Sequence, residues 1–285
     1  MSSRMTNEVP QLFDGVKAEM ALVRAQRSGP ETFLAERLAE DAAERMVPVL
    51  RDLPQALDLG TPVPHLREAL ARAGRVWQVV APGEVERAEP APQSFDFILS
   101  AGVFHCINDL PGLMLRIRRA LKPDGLMLAV FPGGDTLHEL RDCLLRAESE
   151  ITGNAVMRVA PMIDVRAGGQ LLQRAGFALP VADSERITVR YSSPMRLVRD
   201  LRAMGASASL LRRSSETPRL TRAIFLRAAA LYAEHHADGD GKLRATFEFI
   251  WLSGWAAHES QQKPLKPGSA KARLADALAI KNPTP

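Results

Sequence analysis

Apolar positions along the 285-residue chain change period several times, and each change marks an element. Over residues 1–55 the spacing is helical. Leu34, Leu38, Ala42 and Met46 recur at i+4, so one helix face packs on something. Ser28-Gly29-Pro30-Glu31 reads as a capping box with proline in the first turn, which predicts that helix's start. Short continuous apolar runs then take over: Gln55–Gly60, Val76–Val80 (VWQVV), Phe95–Ser100 (FDFILS) and Leu126–Phe131 (LMLAVF). Runs of this kind predict strands buried on both faces, as parallel strands usually are.

Helical stretches separate the runs. Leu66–Ala73 is closed by Gly74, and Asp109 caps LPGLMLRIRRAL with Leu113, Met114, Ile117 and Leu121 turned inward. Lys122-Pro123-Asp124-Gly125 has turn chemistry. Gly133-Gly134-Asp135-Thr136 opens another helix, and QLLQRAGF follows Gly168-Gly169. A strand is expected around Ile187–Tyr191, then helices over Met195–Met204 and Leu220–His236 and a last strand over Ala245–Leu252. Strands alternating with helices predict a doubly wound, mostly parallel α/β sheet. The expected divisions are an N-terminal helical region (1–54), a core (55–191), a helical insertion (192–240), and a final strand with a tail (241–285).

Composition narrows the class. At 46% hydrophobic residues the chain can bury a full core, yet no apolar run reaches the ~18 residues of a membrane span. The first ten residues, MSSRMTNEVP, lack the apolar stretch of a secretory signal. Cys106 and Cys143 stand apart without metal-ligand spacing and fit reduced thiols, so a cytoplasmic protein is expected. A net charge of +4, with arginines dispersed on helices and no aromatic interleaving, gives no nucleic-acid footprint. Asp238-Gly239-Asp240-Gly241 has the start of a calcium loop, but Phe249 stands at the twelfth position where a glutamate is needed, so it is a turn. No metal site is expected, and the oligomeric state is not legible.

The strongest chemical signal is ALDLGTPVP, residues 56–64. An apolar strand, Asp58, Gly60 and then a helix is how a mononucleotide-binding βα unit begins. Such a unit continues acidic-x-Gly-x-Gly-x-Gly, because backbone must approach a ligand at a helix N-terminus. Here Pro62 and Pro64 hold the next two glycine positions, fixing φ and removing the N–H donors.

The strand ending in Asp-x-Gly, followed by FDFILSAGVFHCINDLPGLMLRIRRALKPDGLMLAVF, resembles the core of class I S-adenosylmethionine-dependent methyltransferases. More narrowly, LFD (Leu12–Asp14), ALDLG, HCINDLP, LKPDG, GGDTLHELR (Gly133–Arg141), LLQRAGF, VRDLRAMG (Val198–Gly205) and GWAAHESQQKP (Gly254–Pro264) run in order along the chain. They resemble the branch that includes the mitochondrial respiratory complex I assembly factor of methyltransferase fold. The resemblance implies a Rossmann-like sheet of seven strands with the last pair antiparallel, and S-adenosylmethionine over the C-terminal ends of the first strands. It also implies a complex I subunit as partner, and a link to arginine hydroxylation.

Three departures bear on that cofactor. The loop glycines are prolines. VWQVV ends in Ala81-Pro82 with no carboxylate for the ribose, leaving Glu84 or Glu86 to reach back. Only fourteen residues, three of them proline, separate Val80 from Phe95, where a helix and strand with turns need ~20, so the third strand is expected to be missing. VWQVV then becomes a sheet edge that needs cover or a partner, and the proline-rich stretch 82–92 is the candidate cover.

The candidate site is Asp58 and Gly60 for the cofactor, with Ser100 and Ala101 at the end of the FILS strand. His105 follows with Asn108 and Asp109, either as a general base or as a rim residue beside a helix cap. Gly133–Thr136 either offers N–H groups to an anion or caps the next helix through Asp135 or Thr136. Tyr191, His258-Glu259-Ser260, Trp251 and Trp255 read as structural. Two functions remain open: a protein-modifying enzyme that uses, or derives from use of, S-adenosylmethionine, and a non-catalytic assembly protein on the same fold.

Overall fold

A computed structural model describes residues 11–72, 74–207, 210–211 and 219–261. Among the described residues six strands form one sheet, in the order β2-β1-β3-β4-β6-β5. They are β1 (Gln55–Leu59), β2 (Val76–Val80), β3 (Phe95–Ala101), β4 (Leu121–Pro132), β5 (Ala178–Tyr191) and β6 (Leu243–Trp255). The β2–β1, β1–β3 and β3–β4 pairs are parallel, and β6 runs antiparallel to both β4 and β5. Between β2 and β3 there is only a 3-10 turn, Pro82–Arg87. The third strand is therefore absent, as its short segment predicts, and β2 ends the sheet.

Helices cover both faces. On one lie α2 (Phe33–Met46), α3 (His65–Ala69), α5 (His138–Thr152), α7 (Pro194–Ala203) and α8 (Arg222–His236), around Phe97, Phe249 and Trp251. On the other lie α4 (Leu110–Ala120) and α6 (Val165–Arg174), around Ile98, Met127 and Ile250. The α4 sequence shows why it forms. Asp109 accepts the Gly112 N–H, Pro111 sits in the first turn, and Leu113, Met114 and Ile117 are fully buried. Each of those side chains contributes roughly 1.5–3 kcal/mol of burial. The stripe Leu34, Leu38, Ala42 and Met46 is buried as its period requires.

Several boundaries differ from the sequence reading. Ser28–Glu31 is not a capping box: α2 begins at Phe33 after Thr32, whose hydroxyl donates to the Glu36 carboxylate. The helix expected over 66–73 shrinks to His65–Ala69: it starts one residue early, after Pro64, and stops at Leu70, before Gly74, at positive φ, turns the chain into β2. LKPDG belongs to β4, with Asp124 at φ 66 marking an irregularity in the strand. Gly168 and Gly169 lie inside α6, where a Cβ on Gly168 would press on Leu252. β5 and β6 extend well beyond their apolar runs as a long antiparallel pair. The Asp238–Gly241 turn is tied down by Arg190, which reaches both Asp238 and Asp240. Residues 262–285 of the expected tail lie outside the described residues.

Candidate functional site

The predicted site residues do gather, at the C-terminal ends of β1 and β3. Asp58 is fully buried. Its Oδ1 accepts the Thr61 N–H at 3.2 Å and its Oδ2 meets Arg67 Nη1 at 2.5 Å, so the carboxylate is turned onto its own following helix. Gly60 has φ +86, and a Cβ there would collide with Val85 of the 82–87 turn, with Val103 and Pro82 close behind. Only glycine fits that φ without strain. Ser100 donates its hydroxyl to the Leu59 carbonyl at 2.8 Å, locking β3 to the end of β1, and Ala101 is buried beside it. Pro62 packs over Gly102, while its carbonyl accepts from Gln26 of α1 (Gly15–Arg27).

Asn108 is the residue whose role the sequence did not show. Its Oδ1 accepts the N–H groups of Leu12 and Phe13 at 2.7 and 2.9 Å, and its Nδ2 donates to the Phe13 carbonyl. This clasp holds the N-terminal segment against the strand ends. Glu86 braces it, accepting the backbone N–H groups of Asn108 and Asp109 and the Asn108 amide. Glu86 is thereby committed, and Glu84 points to solvent. The partners lie 95 positions apart, so no local spacing could announce them.

His105 occupies a one-turn 3-10 helix, Phe104–Cys106, with its Nδ1 sealed from solvent and without a hydrogen-bond partner among the described residues. Burial pushes its pKa down to about 4, so the imidazole is neutral at pH 7 and a weak proton acceptor. Phe104 packs on Phe131 at 5.7 Å between centroids, which fixes the turn.

The Gly133–Thr136 loop closes over itself. The N–H groups of Gly133, Gly134, Thr136 and Leu137 donate to the carbonyls of Glu248, Ile163, Gly133 and Thr246, and that of Asp135 donates to the Glu248 carboxylate. No N–H of the run is left for an anion. Neither Asp135 nor Thr136 caps α5: the cap position is Leu137, at φ 54, while Asp135 pairs with Arg186 and Thr136 bonds the Glu248 backbone. Both sequence readings of this loop are overturned, because Glu248, more than a hundred positions away, takes the Gly133 and Asp135 N–H groups and the Thr136 hydroxyl, while the remaining N–H groups go to other carbonyls.

The residues read as structural stay so. Arg45 lies over the Trp251 ring at 4.5 Å and Arg51 over Trp255 at 5.1 Å. Tyr191 is buried, and burial with nearby Asp200 raises its pKa. His258 lies past the end of β6, its Nδ1 2.8 Å from the Ser260 hydroxyl. Among the described residues there is no His, Cys, Asp and Glu grouping able to hold a metal, and no helix long and apolar enough to cross a membrane.

A family model described as a methyltransferase domain matches residues 57–129. The Danio rerio protein named arginine-hydroxylase NDUFAF5, mitochondrial, is 34% identical over 268 residues, covering 87% of this chain and 83% of that one. The malonyl-[acyl-carrier protein] O-methyltransferase of Halorhodospira halophila is 28% identical over 273 residues, 87% of this chain and 89% of its own. Among solved structures, the YcgJ protein of Bacillus subtilis covers 77% of this chain and 99% of its own at 12% identity, with a TM-score of 0.49. The chain is a methyltransferase-fold protein, and it belongs to the family of the NDUFAF5 arginine hydroxylases.

Proposed function

We propose that this chain is an assembly factor for respiratory complex I, a protein-modifying member of its family that acts on an arginine-bearing subunit. The similarity to NDUFAF5, collinear over 87% of this chain, carries that reading. Deleting the gene should lower NADH:quinone oxidoreductase activity in host membranes, with recovery on complementation. Unchanged activity would overturn the proposal.

We further propose that S-adenosylmethionine is not a tight ligand, since the residues present do not fit it. Asp58 is spent on Arg67 and Thr61, Glu86 is spent on Asn108, and Pro62 and Pro64 supply no N–H. Val85 fills the space beside Gly60. Calorimetric titration should give no heat at millimolar S-adenosylmethionine, and micromolar affinity would refute the misfit. A non-catalytic assembly role is the second reading, motivated by the same committed polar groups. Mass spectrometry of complex I arginines separates the two. A mass increment present in wild type and absent in the deletion marks the enzyme, and restored assembly without an increment marks the non-catalytic protein.

A further inference from the structure

Loss of the third strand leaves β2 as a sheet edge with no partner among the described residues. Natural edges are blunted by charges, prolines, bulges or a covering segment. VWQVV has none of the first three within it. The first half of the candidate cover does not lie there either: the 82–87 turn packs on α1 and sends Val85 into the core, and no strand but β1 pairs with β2 among the described residues. Val76 and Val79 are each 57% exposed.

The ladder says which backbone groups are free. Val76 donates its N–H to the Pro54 carbonyl, and the Val80 carbonyl accepts from the Gly60 N–H. In a parallel pair alternate residues address the same neighbour, so residues 76, 78 and 80 face β1. The N–H and C=O groups of Trp77 and Val79 therefore face the open edge.

We infer that this edge binds a second copy of the chain, with two β2 strands pairing antiparallel about a two-fold axis through Gln78. That axis sets Trp77 opposite Val79 of the second copy, and Val79 opposite its Trp77. All the edge-facing groups of those residues then exchange hydrogen bonds, and an aromatic side chain meets a β-branched one on the same face. Gln78 meets its own copy, so no like charges oppose each other.

The flanking charges favour this orientation. Arg72 stands just before β2, exposed, its guanidinium bonded to the Val49 and Met46 carbonyls and without a carboxylate partner among the described residues, while Arg75 is turned inward over the Trp77 and Phe97 rings. Glu84 stands just after β2, exposed and without an ion-pair partner among the described residues. The antiparallel arrangement brings the arginine end of each strand to the Glu84 end of the other. A parallel arrangement would put like charge on like. The two-fold closes on itself, giving one twelve-stranded sheet and no filament. A five-residue edge is a small interface, so the dimer is reversible and concentration-dependent.

Sedimentation velocity on the full chain should show a monomer–dimer equilibrium across the micromolar to several-hundred-micromolar range. Val79→Lys, which places a charge on the outer face of the edge, should weaken dimerisation at least tenfold with an unchanged circular dichroism spectrum, and Glu84→Lys should weaken it less. Gln78→Cys under mild oxidant should give a disulfide-linked dimer that the wild type does not. A wild type that stays monomeric throughout, a dimer indifferent to Val79→Lys, or no cross-link at position 78 each overturns the inference.

Discussion

The two limbs of the sheet satisfy their buried polar groups in opposite ways. In the β2–β1 limb the strands are five residues long, and Asp58 finds its partners three and nine positions away. In the β4–β6–β5 limb the strands run 12, 13 and 14 residues. There Glu248 and Glu139 bond groups 112 and 107 positions distant. A limb whose polar groups close locally can lose a neighbouring strand without stranding anything. A limb held by long-range clasps cannot, because removing one member leaves a buried charge or donor elsewhere. The chain is pared down on the first side and intact on the second.

Each limb also holds one short-range buried ion pair, and the two should differ in stability. Glu148 on α5 is fully buried and takes a two-pronged ion pair from Arg158, at 2.9 and 2.5 Å, which anchors the segment between α5 and α6. Arg158→Ala strands that carboxylate and should cost about 3–5 kcal/mol in urea unfolding. In the other limb Arg67→Met strands Asp58. Arg67 keeps 28% of its side chain in water, so the cost should be smaller, about 2–3 kcal/mol. Asp58→Asn added to Arg67→Met should recover most of it, because neither member of the pair is needed once the charge is gone. No such rescue by Glu148→Gln would be expected to restore the segment's anchorage. If the Arg67 loss spread to hydrogen exchange in β5 and β6, the limbs would not be independent.

This division also explains what the sequence disclosed. Strand β2 and the α4 cap are read within a residue, because their signals are local: a short apolar run, and an aspartate before a leucine–proline start. The missing strand is legible as a simple shortage of residues between Val80 and Phe95. The gathering of Asp58, Gly60, Ser100 and Ala101 follows from their places at adjacent strand ends. What stayed hidden was the use of each polar group. Nothing near Gly133–Thr136 signals that Glu248 claims its donors, and nothing near Asn108 signals Leu12 and Phe13. Prolines at 62 and 64 announce lost donors, whereas the pairing of Asp58 with Arg67 needed the short α3 to be seen.

His105 tests the seam between the limbs through pH. Its folded-state pKa, about 4, lies below the ordinary 6.5, so the unfolded chain binds the extra proton first on acidification. The associated stability is fully present above pH 6.5 and is lost as pH falls toward 4. His105→Gln should flatten that window by about 2 kcal/mol, allowing for partial solvent access, while changing little at pH 7. Urea midpoints at pH 7 and pH 4.5 for the two proteins provide the measurement. An imidazole titrating near 6.5 by NMR would remove the effect and return His105 to the candidates for proton transfer.

The smallest effect belongs to Asn108, and it decides whether the sealed end can open. Its amide holds the Leu12 and Phe13 N–H groups, and Leu211, between α7 and α8, donates its N–H to the Leu12 carbonyl. Asn108→Ala removes about 1–2 kcal/mol of hydrogen bonding at a partly buried site. Because α1 rests on that clasp and on Gln26, the loss should show as faster hydrogen exchange over residues 11–27, with β4 and β6 unchanged. Global unfolding midpoints should move by no more than the lost bonds require. Faster exchange confined to α1 makes the N-terminal segment a separable cover on the pared limb. Exchange rising equally in β6 would mean that the cover and the intact limb open together, and the comparison between limbs would fail at the point where they touch.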